Sequence, residues 1–195
     1  MLFYSTVQSI YQQMNKLLPL FLLIFSFADA DSKQNQFIAR QGQISFFSYT
    51  SVENIEAKNN QVLSILDIEK EEIAISMLMR AFVFKKDLMY EHFNESYIES
   101  DLYPKANFEG KIIDFDAKSK EQQTKIIRGQ LTIHGITKEL DIKASIANSN
   151  GNYILSGEFD ISIKDFEIKI PPILASNIAK TISIQFLFQY QPYEE

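Results

Sequence analysis

The chain has 195 residues, 46% of them hydrophobic, enough for one well-buried core and free of the bias that marks disordered, collagen-like or coiled-coil chains. A formal charge of -6 argues against nucleic acid as a partner, because tight binding to phosphates needs a basic face that releases counterions. There is no cysteine, which excludes disulfide scaffolds, thiolate zinc sites and cysteine nucleophiles, and 16 Phe with 9 Tyr against only 6 Gly favour pleated, half-buried surfaces over long helices.

From Met14 the sequence reads MNKLLPLFLLIFSFADADS, in which Lys16 is the first charge and residues 17–27 form an apolar run broken only by Pro19 and Ser26. This predicts the basic and apolar regions of a secretory signal. The run is shorter than the roughly 20 apolar residues of a membrane span, and Asp29 and Asp31 follow it at once. Small side chains at Ala28 and Ala30 predict cleavage after Ala30. The expected organisation is a signal peptide over residues 1–30, with Met14 as the expected initiator, and one mature domain over 31–195, exported to the periplasm or secreted. No cysteine follows the apolar run, so no lipid-anchored terminus is expected.

The mature region reads mostly as strands. Residues 43–48, 55–58 and 62–68 are three early candidates, and Ile73, Ile75, Met77 and Met79 then share one face with period two. In residues 86–98, Leu88, Met89, Phe93 and Tyr97 recur at helical spacing, predicting one helix that crosses an opening or packs on the outside. A strand over 106–115 and a solvated, charge-rich loop over 116–125 come next. Ile127, Gly129, Leu131 and Ile133 alternate with polar residues, Gly135 marks a hairpin turn, and Leu140, Ile142, Ala144 and Ile146 alternate in turn. A second hairpin is predicted at 148–151, where Asn and Gly accept positive φ. Tyr153, Leu155, Gly157, Phe159, Ile161 and Ile163 then share a face. A short helical turn over 173–179 follows Pro171 and Pro172, and Ile182, Ile184, Phe186, Phe188 and Tyr190 line the last strand.

Eight or nine antiparallel strands joined mostly by short turns predict an all-β fold that closes into a barrel, since closure removes exposed edges. Its inward apolar faces are compatible with two outcomes: a lumen filled by its own side chains, or an apolar channel. The candidate lumen-lining residues are Met77, Met79, Phe82, Phe84, Phe108, Phe115, Leu131, Ile133, Phe159, Phe186 and Phe188. The flexible thioethers among them suit a pocket for a floppy chain. No catalytic residue is predicted, because no G-x-S-x-G elbow or phosphate loop occurs and Glu91, Glu95 and Glu99 read as a solvated helix face. No metal site is predicted either: His92 and His134 are the only histidines and neither has a ligand-spaced neighbour. His134 reads as a hairpin residue with a locally hydrogen-bonded ring, and Lys164 and Asp165 as an ion pair or turn.

The stretch MYEHFNESYIESDLYPKANFEG over residues 89–110, followed by GQLTIHGITKEL over 129–140, resembles the YceI family. Tyr103, Pro104 and Phe108 match a Y-P-x-x-x-F element. Gly129, Leu131, Thr132, Ile133, His134, Gly135, Thr137 and Lys138 match a G-x-L-T-I-H-G-V-T-K hairpin, and Lys164, Asp165 and Phe166 echo a basic-x-D-F element. The resemblance covers roughly residues 35–191. It departs from the family at Glu167, where many members have glycine, and around residues 37–52. It implies an eight-stranded, lipocalin-like periplasmic barrel with one or two short helices that holds a long isoprenoid in its lumen. No cofactor is implied beyond a bound isoprenoid or fatty lipid. The partners it implies are a hydrophobic small molecule and transient membrane contact. The other reading of the residues is a non-catalytic structural or adaptor barrel with a filled lumen, acting through a protein partner.

Overall fold

The computed structural model describes residues 35–194, so the predicted signal segment lies outside the described residues. The strands are β1 (Gln36–Tyr49), β2 (Asn54–Asp67), β3 (Glu72–Leu78), β4 (Val83–Phe84), β5 (Lys105–Ile112), β6 (Gln123–Ile133), β7 (Ile136–Ser149), β8 (Asn152–Ser162) and β9 (Thr181–Pro192). Neighbours run β1-β9-β8-β7-β6-β5-β3-β2, and β2 pairs back onto β1, so the sheet closes into an eight-stranded antiparallel barrel. The two-residue β4 is an extra strand on β2. Closure leaves each of the eight with two neighbours and turns one side of the sheet towards the lumen.

Both predicted hairpins form. His134–Gly135 and Asn150–Gly151 each place two consecutive residues at positive φ, the two-residue turn whose twist matches that of the flanking strands. The early strands differ from expectation. Residues 43–48 are the second half of β1, and the candidates 55–58 and 62–68 form one strand, β2, that ends at Asp67. The reason is a β-bulge in each strand. Along β1 the inward set changes from Phe37 and Ala39 to Gly42, Ile44 and Ser48, and along β2 from Ile55, Ala57 and Asn59 to Val62, Ser64 and Leu66. A bulge flips the parity of a strand without ending it, so an alternation test reads one strand as two. Gly42 is required at the β1 bulge, since a Cβ there would lie 2.3 Å from the Phe188 ring.

Asn59, fully buried at the β2 bulge, donates from Nδ2 to the Leu78 carbonyl at 3.0 Å and accepts the Gln61 N–H at 2.8 Å. It thereby satisfies β3 where that strand leaves the barrel wall. The chain then makes a 3₁₀ turn (Met79–Ala81) and returns to β2 as β4.

Helix α1 (Asp87–His92) runs into a π-helical turn (Phe93–Tyr97), where the predicted regular helix over 86–98 stood. The predicted turn over 173–179 is only a 3₁₀ turn, Pro172–Leu174. Proline at its start sets φ, and farther on the Ala179 N–H leaves the local chain to donate to Ser48 Oγ on β1 at 2.8 Å.

Antiparallel connectivity sends successive connections to opposite ends of the barrel. One end carries residues 68–71, 113–122 and the Asn150–Gly151 turn. The other carries 50–53, 79–104, the His134–Gly135 turn and 163–180, so both long connections stand at the same mouth.

Candidate functional site

The two ends of the lumen are packed differently. At the end with short connections, Phe37 meets Tyr153 edge-on with ring centroids 4.8 Å apart, Phe188 packs on Tyr190 at 6.1 Å, and Val62, Leu66, Ile112 and Ile146 are almost wholly buried around them. The Tyr190 phenol, fully buried, lies 2.6 Å from Ser64 Oγ, which in turn donates to the Ala74 carbonyl at 3.1 Å. Burial pushes the Tyr190 phenol far above its ordinary value. This packed layer is the floor.

Above the floor the side chains do not meet, and a cavity of about 210 Å³ remains. At about 10–15 Å³ per water-sized group, it has room for roughly fifteen such groups. Its walls are Ile, Leu, Met and Phe from every strand of the barrel, with Phe46, Phe82, Phe84 and Phe93 clustered at 5.1–5.8 Å between ring centroids. The polar side chains on the lining are few: Ser48, Glu53, His92, Tyr97 and Asn177. All five come from the mouth end. Glu53 is paired with Lys86, and burial raises the Tyr97 phenol above its ordinary value.

Ten of the eleven candidate lumen residues line this cavity: Met77, Met79, Phe82, Phe84, Phe108, Leu131, Ile133, Phe159, Phe186 and Phe188. Phe115 does not. It lies beyond Ile112, where β5 has ended, and packs on Tyr153 at 6.2 Å as part of the floor. Its odd position already sets it off the face shared by Ala106, Phe108 and Ile112, and the end of β5 at Ile112 frees the chain to carry it into the floor.

The helix expected to cross an opening or pack on the outside stands at the mouth, but its side chains were not among the candidate lumen residues. Met89, Phe93 and Tyr97 lie on the cavity, as do Ile163, Ile168, Ile170, Leu174 and Ile178 from the long β8–β9 connection. The helical spacing of Met89, Phe93 and Tyr97 was a usable signal. Ile163 continues the period of β8, but Ile168, Ile170, Leu174 and Ile178 belong to no strand and give no period to follow.

Of the motif residues, Phe108, Leu131 and Ile133 line the cavity, whereas Tyr103, His134 and Phe166 come together at the mouth end without lining it. The His134 ring is only 14% exposed, with Nε2 2.8 Å from Glu99 Oε2 and Nδ1 3.2 Å from the Phe166 carbonyl oxygen. The Tyr103 ring packs against it at 4.5 Å and also covers Gly135, where a Cβ would lie 2.8 Å from Tyr103 Cε1. The predicted local hydrogen bonding of His134 is thus replaced by bonds to residues 35 and 32 positions away. Its role is to tie three connections into one clasp. Lys164 and Asp165 form part of a 3₁₀ turn (Ile163–Phe166) that ends at Glu167 with φ of 54°, the left-handed conformation that glycine adopts without strain. Phe108 covers the paired Gly110 and Gly129, where side chains would collide with its ring and with backbone.

A search of curated proteins finds no match to the chain. Solved structures do match. A polyisoprenoid-binding domain from Saccharophagus degradans, implicated in plant cell wall breakdown, superposes with a TM-score of 0.70 at 12% identity over 82% of this chain and 99% of that one. Burkholderia cenocepacia BcnA gives 0.65 at 16% identity over 77% and 96%, and a Campylobacter jejuni YCEI protein gives 0.60 at 15% over 75% and 90%. At such identities the likeness is one of fold. The sequence itself matches the family model described as YceI-like domain over residues 29–190, and the chain belongs to the YceI-like domain family.

Proposed function

We propose that the protein is an exported, non-catalytic carrier that holds an isoprenoid or other long-chain lipid in the barrel lumen for storage or transport. The observation that carries this reading is the blind apolar cavity: walled by aliphatic and aromatic side chains, closed by the Tyr190 floor, and polar only towards its mouth. Such a site binds by burial. Each methylene moved out of water contributes about 0.8 kcal/mol, so a chain of a dozen carbons outweighs several kcal/mol of lost freedom without any charged contact. The polyisoprenoid-binding relative from Saccharophagus degradans supports the same ligand class. Nothing in the lining resembles a nucleophile with its base, and a barrel filled throughout would have suited the adaptor reading better than this half-filled one does.

The test is native mass spectrometry of protein exported to a bacterial periplasm and purified without detergent, followed by solvent extraction and lipid analysis. A stoichiometric adduct with an isoprenoid or acyl chain is the expected result. A bare protein that also refuses added polyprenyl quinone would overturn the carrier reading.

A further inference from the structure

His92 and Tyr97 are five positions apart on the segment that crosses the mouth. In a regular α-helix of 3.6 residues per turn, such positions diverge by about 140° and cannot share a face. Here the chain widens into the π-helical turn Phe93–Tyr97, closed by the Ile98 N–H donating to the Phe93 carbonyl at 2.9 Å in an i→i+5 pattern. The wider turn brings His92 and Tyr97 onto the same side, with ring centroids 6.3 Å apart, and both line the cavity. Turns of this kind are rare inside helices and frequently mark functional sites.

Both side chains are partly buried, and among the described residues neither the His92 ring nitrogens nor the Tyr97 hydroxyl bonds to the protein, their polar atoms staying open to solvent at the mouth. Two unused polar groups therefore stand together where an otherwise apolar cavity reaches the surface. We infer that His92 and Tyr97 form a headgroup subsite for an uncharged, oxygen-bearing group, such as a quinone carbonyl or an alcohol, at the end of a long apolar chain. This inference rests on the carrier reading and names the polar end of the ligand.

The chemistry follows from the groups present. Tyr97 offers an O–H and His92 a ring N–H, so an oxygen acceptor satisfies both. The Glu53 carboxylate lies on the same lining and is already paired with Lys86, so it repels an anionic head and leaves no free cation to hold one. With its head at the lip, the chain runs down the apolar wall to the floor.

Binding of two probes to the full chain tests this: a polyprenyl quinone and squalene, an isoprenoid hydrocarbon with no head. The unaltered protein is expected to prefer the quinone. Tyr97→Phe and His92→Leu are each expected to weaken quinone binding about five- to tenfold, the effect of one hydrogen bond, while leaving squalene binding unchanged. Quinone and squalene bound equally well, or weakened equally by the substitutions, would overturn the headgroup subsite while leaving the carrier intact. Failure of the unaltered protein to bind either probe would overturn the carrier reading and the subsite with it.

Discussion

The floor of the barrel offers a prediction whose sign is fixed by a single hydrogen atom. Ser64 has one hydroxyl hydrogen and gives it to the Ala74 carbonyl at 3.1 Å, so the bond of 2.6 Å to Tyr190 must be donated by the tyrosine. Tyr190→Phe removes that donor but leaves Ser64 still bonded to Ala74, which costs about 1 kcal/mol. Ser64→Ala instead strands the phenolic O–H in a site with no exposed surface, and it costs about 2–3 kcal/mol. Combining the two removes the stranded donor, so adding Tyr190→Phe to the Ser64→Ala protein is expected to stabilise it by about 1–2 kcal/mol, although the same change destabilises the parent. Equilibrium unfolding in urea measures all four proteins. In thermal melts each kcal/mol corresponds to about 2–4 °C for a domain of this size. If Tyr190→Phe lowers stability equally in both backgrounds, the phenol does not donate to Ser64 and the account of the floor is wrong.

The same phenol governs alkaline stability. Its folded pKa lies well above the ordinary value of 10.0, so above pH 10 the unfolded chain releases a proton that the folded one retains, and stability falls as pH rises; Tyr190→Phe is expected to flatten that part of a pH–stability curve. Glu167→Gly relieves a left-handed residue and is expected to raise stability by about 0.5–1 kcal/mol after glycine's greater loss of freedom, read as a higher urea midpoint. His134→Ala breaks the clasp and is expected to cost about 1–3 kcal/mol, with faster amide exchange in residues 98–103 and 163–168 than in the floor. Ala106 is buried on the cavity wall, so Ala106→Phe places a ring in the space; displacing about four methylenes of ligand is worth roughly 3 kcal/mol, and lipid retention in native mass spectra is expected to fall about 100-fold without loss of fold.

Much of the barrel was legible in one dimension. Strands β6 to β9 declare themselves because one face meets the core and the other meets water, a pattern that reads directly as period two, and Asn150–Gly151 announces its turn because few residues tolerate its backbone. The inward faces of ten of the eleven lumen candidates were legible for the same reason. The His134–Gly135 hairpin was recognisable from its motif, yet the reason for that motif was not, since Glu99, Tyr103 and Phe166 meet His134 only after the barrel closes.

Tertiary structure alone decided the rest. The bulges at Gly42 and Asn59 merge what reads as separate strands, because a parity flip is indistinguishable from a break until the partner strand is seen. The end of β5 at Ile112 frees the chain to carry Phe115 into the floor, while Phe108 stays in the wall. The π turn that aligns His92 with Tyr97 adds one residue to a helical turn, too small a change for periodicity to register. Local pattern determined which faces are apolar; whether those faces touch or leave a cavity depends on how eight strands close around one another, a property of the whole barrel and of no segment within it.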